Sequence, residues 1–278
     1  MNIKKQLFLL LSVSALSMTA GNHEVDSVAF VNADWNIVEL PEGITCATTT
    51  AIIFDSPQSI SYAKFPMSKF QTILIPQPKE GLKKMSEAAI ENDAICGINA
   101  GYWNMSIDFP ATYVRSNGQD LSKTESREAY RVNGIVIFDD GNFDIAYCDT
   151  TQYPEYAAKF NNILSCGPLL IDEGKVYDYS KSGSFFSNRH PRSVIGTTPD
   201  GDMILLVVDG RARNQAAGVS IPELTDICLW LGMDDALNLD GGGSSSLWVK
   251  GEIISHPSDN RKFDHEGERT VSSAIIVK

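Results

Sequence analysis

The run "MILLVVDGRARNQAAGVSIPELTDICLWLGMDDALNLDGGG", Met203 to Gly243, decides the architecture. "MILLVVDG" is a short apolar run bounded by turn residues, the pattern of a buried strand. "SIPELTDICLWLGM" (Ser220 to Met233) reads as a helix with Ser220 as N-cap and Glu223, three residues on, completing a capping box. Pro222 falls in the first turn, where a missing N–H has no intrahelical partner, and Gly232 is placed to stop the helix. "ALNLDGGG" is the next strand. The unit is strand–helix–strand, and both strands run into Asp-Gly, at Asp209-Gly210 and Asp240-Gly241. If the two strands run parallel, both carboxylates emerge at one sheet edge, where ligands of crossover sheets collect.

Outward from this unit, hairpins dominate. "VNGIVIFDDGNFDIAYC" (Val132 to Cys148) alternates around a central "DDGN" turn. Further turns fall at Glu173-Gly174, Asp200-Gly201 and Lys250-Gly251. Asp139, Asp140, Asp172, Glu173, Asp200 and Asp202 belong to these turns and are set aside from any chemistry. A second helix is expected over Gly81–Ala94. No repeat, linker or internal boundary is visible. The expected fold is α+β: a mixed, largely antiparallel β-sheet with hairpins and a few helices, including one strand–helix–strand crossover near the C-terminus.

The chain has 278 residues, 43% of them hydrophobic and 21% charged, an ordinary globular composition. Lys4 and Lys5 precede the apolar run "LFLLLSVSALSM" (Leu7 to Met18), with small residues at Ala20 and Gly21. Residues 1–21 therefore read as a signal peptide and 22–278 as one domain, exported to the periplasm or the cell exterior. The run is short for a bilayer crossing, and no other stretch suits a membrane span. Without residues 1–21, 21 basic residues face 35 acidic ones, and the formal charge moves from −12 to about −14. No basic stripe appears, which argues against a nucleic-acid partner. An anionic substrate has to be met by a few placed arginines. Cys46, Cys96, Cys148, Cys166 and Cys228 lack zinc spacing; one or two disulfides are expected in an oxidising compartment, with Cys228 a small buried hydrophobe in the helix.

Gly241, Gly242 and Gly243 together cost conformational entropy, roughly 0.5–1 kcal/mol each against alanine. A sequence keeps them where backbone takes positive φ or approaches something closely. Their N–H groups suggest an anion nest, and Ser244, Ser245 and Ser246 add hydroxyls beside Asp240. The spacing is not that of a P-loop, and Ser246 stands where a G-x-S-x-G elbow needs its last glycine. A ledge for an anion or sugar and a plain tight turn with exposed serines fit these residues equally.

"NLDGGGSSSLWVKGEIISHPSD" (Asn238 to Asp259) closely resembles the signature of the phosphodiester glycosidase family. "INAGYWN" (Ile98 to Asn104) resembles the family's Asn-Gly-Gly-Tyr/Phe-Phe block, with Ala100 in place of a glycine. "HPRSVIGTTPDGDMILLVVDGR", "GVSIPELTDICLWLG" and "GERTVSSAIIV" resemble its Arg strand, linking helix and closing strand. The blocks come in the family's order and cover roughly residues 95–278.

The resemblance implies a phosphoglycan or other sugar-1-phosphodiester substrate, cut to free sugar and a phosphomonoester. On that footing Arg192 is the first choice to grip the phosphate, then Arg269, then Arg211 and Arg213. Oxocarbenium-like character at the anomeric carbon calls for a carboxylate, Asp240 first and Asp209 second. Glu268 is a further acid or base. Asn99 and Asn238 hold sugar hydroxyls, orient the aspartates or cap turns. Tyr102 and Trp103 form a sugar platform or pack in the core. His190, His256 and His265 receive no catalytic role. No cofactor is required. Ca²⁺ or Mg²⁺ on the paired Asp-Gly strand ends would instead make a metal-dependent phosphodiesterase. A non-catalytic glycan-binding protein that keeps the ledge is the remaining alternative.

Overall fold

The computed structural model describes residues 20–77, 81–139, 142–180 and 182–278. Residues 1–19 of the expected signal peptide, and Asp140 and Gly141 of the first hairpin turn, lie outside them. The α+β expectation holds, with the strands divided among sheets. The largest has eight, in the order Asn36–Leu40, Ile44–Ile53, Ser56–Pro66, Asp202–Val208, Arg192–Thr197, Asp235–Asn238, Leu169–Asp172 and Lys175–Val176. Every neighbouring pair in it is antiparallel.

Asp202–Val208 and Asp235–Asn238 both pair antiparallel with Arg192–Thr197, so they run parallel to each other with one strand between. The helix joining them spans Ile221–Trp230 and carries the capping box of Ser220 and Glu223; Gly232 beyond it takes φ +77°. This sheet is covered on both faces, which explains the unbroken apolar run at Met203–Val208. Met203, Leu205 and Val207 face the main core. Ile204, Leu206 and Val208 face Ile221, Leu224, Ile227 and Cys228 of the helix.

Two five-stranded sheets close the main core from the other side. One orders Glu252–Ile253, Leu247–Val249, Cys96–Asn99, Ser273–Val277 and Thr72–Pro76; the other contains the hairpin Gly134–Asp139 and Asn142–Tyr147. Ile98, Leu247 and Ile275 of the first and Val136 and Leu164 of the second meet Leu205 and Leu237 of the large sheet.

Two expectations need correction. The helix expected over Gly81–Ala94 is confined to Met85–Glu91, because Lys83 and Lys84 pair as a short strand with Val271 and Thr270. All five cysteines are buried free thiols rather than disulfides. Among the described residues no helix is long and apolar enough to cross a membrane.

Candidate active site

The two parallel strands deliver Asp209 and Asp240 to the same sheet edge, on either side of Pro191 at the start of the intervening strand. The glycine after each aspartate follows from that crowding. A side chain on Gly210 would begin 2.8 Å from the Pro191 nitrogen, and one on Gly241 2.6 Å from the Pro191 carbonyl oxygen. The Gly242 N–H donates to that same oxygen at 2.9 Å, and Gly242 takes φ +64°.

The expected anion nest is thereby corrected. The Gly241 N–H donates to Asp240 Oδ1 at 2.9 Å and the Gly242 N–H to Pro191, so both have internal partners. The glycines serve close approach instead. Arg211 Nη2 lies 2.7 Å from where a Gly242 side chain would start, and Arg269 Nη1 3.0 Å from that point on Gly243. Two guanidinium groups thus close on the ledge. Arg211 holds φ +65°, a strained conformation for a side-chain-bearing residue of the kind found at functional sites. The ledge serines are buried rather than exposed. Ser245 Oγ has no partner among the described residues, and Ser246 donates its N–H to Asn99 Oδ1.

Asp240 itself is half-buried. Desolvation pushes its carboxyl up to about 6, against the opposing pull of the Ser244 hydroxyl, Arg131, Arg269 and the Gly241 N–H. Arg269 lies 5.1 Å from the Trp103 ring centre and 3.5 Å from Asp259. Arg131 lies 4.0 Å from the centre of the Tyr102 ring and pairs with buried Glu128. Arg131 escapes sequence reading because "REAYRVNG" has no motif around it. Beside Arg211 a cavity of about 480 Å³ is lined by Arg211, Ser258, Asp259 and Arg261.

Several expected site residues turn out to build the ledge rather than face a ligand. Asn99 is fully buried. Its Nδ2 donates to the Asp240 carbonyl at 2.6 Å, and its Oδ1 accepts from Ser193 Oγ at 2.7 Å. Asn238 and Tyr102 are buried together: Asn238 Nδ2 and Tyr102 Oη both donate to the Gly167 carbonyl, at 2.8 and 2.6 Å. That arrangement leaves Trp103, not Tyr102, as the half-buried aromatic. Glu268 accepts from the Ser86 N–H and hydroxyl at the start of the helix Met85–Glu91, which explains its position better than an acid–base role.

Arg192 is the clearest correction. It is 2% exposed; Nε donates to the Val219 carbonyl at 3.2 Å and Nη2 to those of Phe185 and Asn188 at 2.8 and 3.2 Å. Burial depresses its pKa to about 10. It ties the segment Phe185–Asn188 and the turn at Val219 to the strand from inside. Arg192→Ala is therefore expected to lower stability by about 3 kcal/mol, since buried carbonyls lose charged donors. Chemical denaturation of parent and variant checks this; an unchanged midpoint would refute the role.

Asp209 is 1% exposed and accepts from Ser59 Oγ at 2.7 Å and the His256 N–H at 2.8 Å, with His256 Nδ1 3.0 Å away. It is enclosed, not open to a sugar. The His256 ring stacks on Phe263 with centroids 3.9 Å apart and lies 4.4 Å from His265. His256 receives no catalytic role from the sequence; its place in "HPSD", within the same block as the glycines, is the available signal. Among the described residues no group of three or more His, Cys, Asp or Glu is set to hold a metal ion.

Comparison with known proteins bears on the same segments. N-acetylglucosamine-1-phosphodiester alpha-N-acetylglucosaminidase of Bos taurus is 26% identical over 242 residues, 80% of this chain and 44% of that protein. The SPbeta prophage-derived uncharacterized protein YomE of Bacillus subtilis (strain 168) is 38% identical over 169 residues, 60% of this chain and 26% of its own. The chain thus spans less than half the length of these relatives. In fold, it resembles the zebrafish N-acetylglucosamine-1-phosphodiester alpha-N-acetylglucosaminidase catalytic domain, auto-inhibited by its pro-peptide. That match has TM-score 0.61 and 17% identity, over 88% of this chain and 82% of that one. The phosphodiester glycosidase family model matches residues 92–278, about two-thirds of the chain, and includes the Asp240 ledge, Arg211, Arg269 and the Asp209–His256 pair. The chain belongs to the phosphodiester glycosidase family.

Proposed function

We propose that this chain is an exported hydrolase that cleaves a sugar-1-phosphodiester at the glycosyl–phosphate bond, releasing the sugar and leaving a phosphomonoester. The observation that carries this reading is Asp240: a half-buried carboxylate at a sheet edge, on a glycine ledge that Arg211 and Arg269 approach closely. A carboxylate suits the cationic anomeric centre, and guanidinium groups suit the phosphate. Arg211 and Arg269 replace Arg192 as the phosphate-binding pair. Trp103, under Arg269, offers the sugar an apolar face. Export is supported by the signal-like residues 1–21. The reaction is proposed to need no metal or cofactor, since a phosphate monoester leaves readily without Lewis-acid help.

Incubation with a panel of sugar-1-phosphodiesters, followed by ³¹P NMR and mass identification of products, tests the proposal. Free sugar and a phosphomonoester are expected, with turnover unchanged by EDTA. An alcohol together with a sugar phosphate, or no product from any member, would contradict it.

The pH dependence has a definite sign. An acid raised to about 6 is protonated below that pH and ionised above it. If Asp240 works as a carboxylate, kcat/KM rises through about pH 6 and falls away on the acid side. A rate independent of pH between 4 and 7 would contradict this.

A further inference from the structure

We propose that His256 is a catalytic residue of this site, acting as the base that takes a proton from the attacking water, and that Asp209 is a positioning residue acting through it. The proposal rests on the glycosidase reading above and adds a second working group to it. Four observations converge. The Asp209 carboxylate is an acceptor, so the 3.0 Å contact requires His256 Nδ1 to be the donor. In the neutral ring the lone pair then lies on Nε2. The Asp209 carboxylate is in turn held by Ser59 Oγ and the His256 backbone N–H, so it is fixed where it meets Nδ1.

Secondly, Nε2 has no hydrogen-bond partner among the described residues, and the side chain is 21% exposed. Nδ1 lies on a carboxylate that is 1% exposed, and Phe263 covers a ring face. Nε2 is therefore the ring nitrogen left to take a proton. Thirdly, the chain that follows His256 lines the cavity beside Arg211, through Ser258, Asp259 and Arg261. Asp259 also reaches the ledge: its Oδ1 lies 2.7 Å from where a Gly243 side chain would start. The segment that follows His256 thus reaches the edge of the ledge through Asp259. Lastly, one strand separates the ends that carry Asp209 and Asp240, so their backbones are about 9–10 Å apart. Asp240 is thus free to face the sugar from the ledge while Asp209 is engaged with His256.

The step balances without further reactants. A water O–H bond breaks and its proton moves to Nε2 as the water oxygen bonds the anomeric carbon. The glycosyl C–O bond breaks with its electron pair going to the phosphate oxygen, which leaves as the monoester. Asp240 faces the positive charge that develops on the sugar. The imidazolium formed is stabilised by Asp209 and returns its proton to solvent. The ionisable groups facing the ring are Asp209 and His265.

His256→Gln and Asp209→Asn, with kcat, KM and far-UV circular dichroism, form the first arm of the test. His256→Gln is expected to lose about 10²–10⁴-fold in kcat with KM little changed, and to regain part of it in added imidazole. Asp209→Asn should lower kcat without imidazole rescue, and the double variant should be no worse than His256→Gln alone. If His256→Gln does not fold, His256→Asn keeps an amide at the Nδ1 position and carries the same expectation. Turnover within threefold of the parent, or a loss that imidazole does not rescue in a folded variant, overturns the proposal. The second arm needs no turnover: imidazole ¹⁵N NMR of the parent with N-acetylglucosamine 1-phosphate as probe. Nδ1 is expected to be the protonated nitrogen and Nε2 to shift with the probe. A protonated Nε2, or a His256 signal indifferent to the probe, overturns the proposal even if the parent hydrolyses none of the diesters offered, which counts against the glycosidase reading alone.

Discussion

Asp240→Asn should remove turnover by about 10⁴-fold in kcat while the protein stays folded and still binds substrate or product. The amide is nearly isosteric, so the Gly241 N–H keeps an oxygen to donate to in place of Oδ1. It cannot attack or stabilise positive charge as a carboxylate does. Stability should move the other way. The folded carboxyl is raised to about 6, above its ordinary value of 3.8, so the native state holds its proton more tightly than the unfolded chain. Stability from this group is present at low pH and is lost as pH rises from about 4 to 6. At pH 7 the parent therefore carries a buried charge that the asparagine variant does not, and the variant should melt at an equal or higher temperature. A variant that melted lower and kept near-normal turnover per folded molecule would make Asp240 a turn residue.

Gly241→Val should act on the fold first. Its Cβ would start 2.6 Å from the Pro191 carbonyl oxygen, which is backbone and already accepts the Gly242 N–H at 2.9 Å. Neither side can yield without moving the start of the strand Arg192–Thr197. A loss of about 3 kcal/mol or more is expected, read by denaturant titration. Gly243→Ala makes the contrast. Its Cβ would meet Asp259 Oδ1 at 2.7 Å and Arg269 Nη1 at 3.0 Å, both flexible side-chain ends. That variant should fold normally and show a raised KM, because a displaced Arg269 no longer holds the phosphate. Equal stability of parent and Gly241→Val would show that the close approach to Pro191 is not required.

The crossover was legible because its signals are local: a capping box at Ser220 and Glu223, a stop at Gly232 and an Asp-Gly at each strand end. The roles of the charged residues were not, because their partners are distant. His256 meets Asp209 from 47 positions away, and neither residue carries a local signal of the other. Arg192 binds backbone carbonyls, which leave no side-chain signature, so a buried strut reads like a phosphate ligand. Asn99 likewise bonds the Asp240 backbone. The early part of the expected helix became a strand because Lys83 and Lys84 found partners at Thr270 and Val271, nearly two hundred positions on. The three glycines announced close approach correctly, but only the fold tells what approaches: Pro191, Arg211, Asp259 and Arg269.

The central claim is that the bond broken lies on the sugar side of the phosphate, with Asp240 facing the anomeric carbon. Hydrolysis in H₂¹⁸O, followed by mass spectrometry of both products, tests it most directly. The mechanism predicts ¹⁸O on the anomeric hydroxyl of the released sugar and none in the phosphomonoester. Label in the phosphate instead would mean that water attacks phosphorus, and would contradict a glycosidase mechanism built on Asp240.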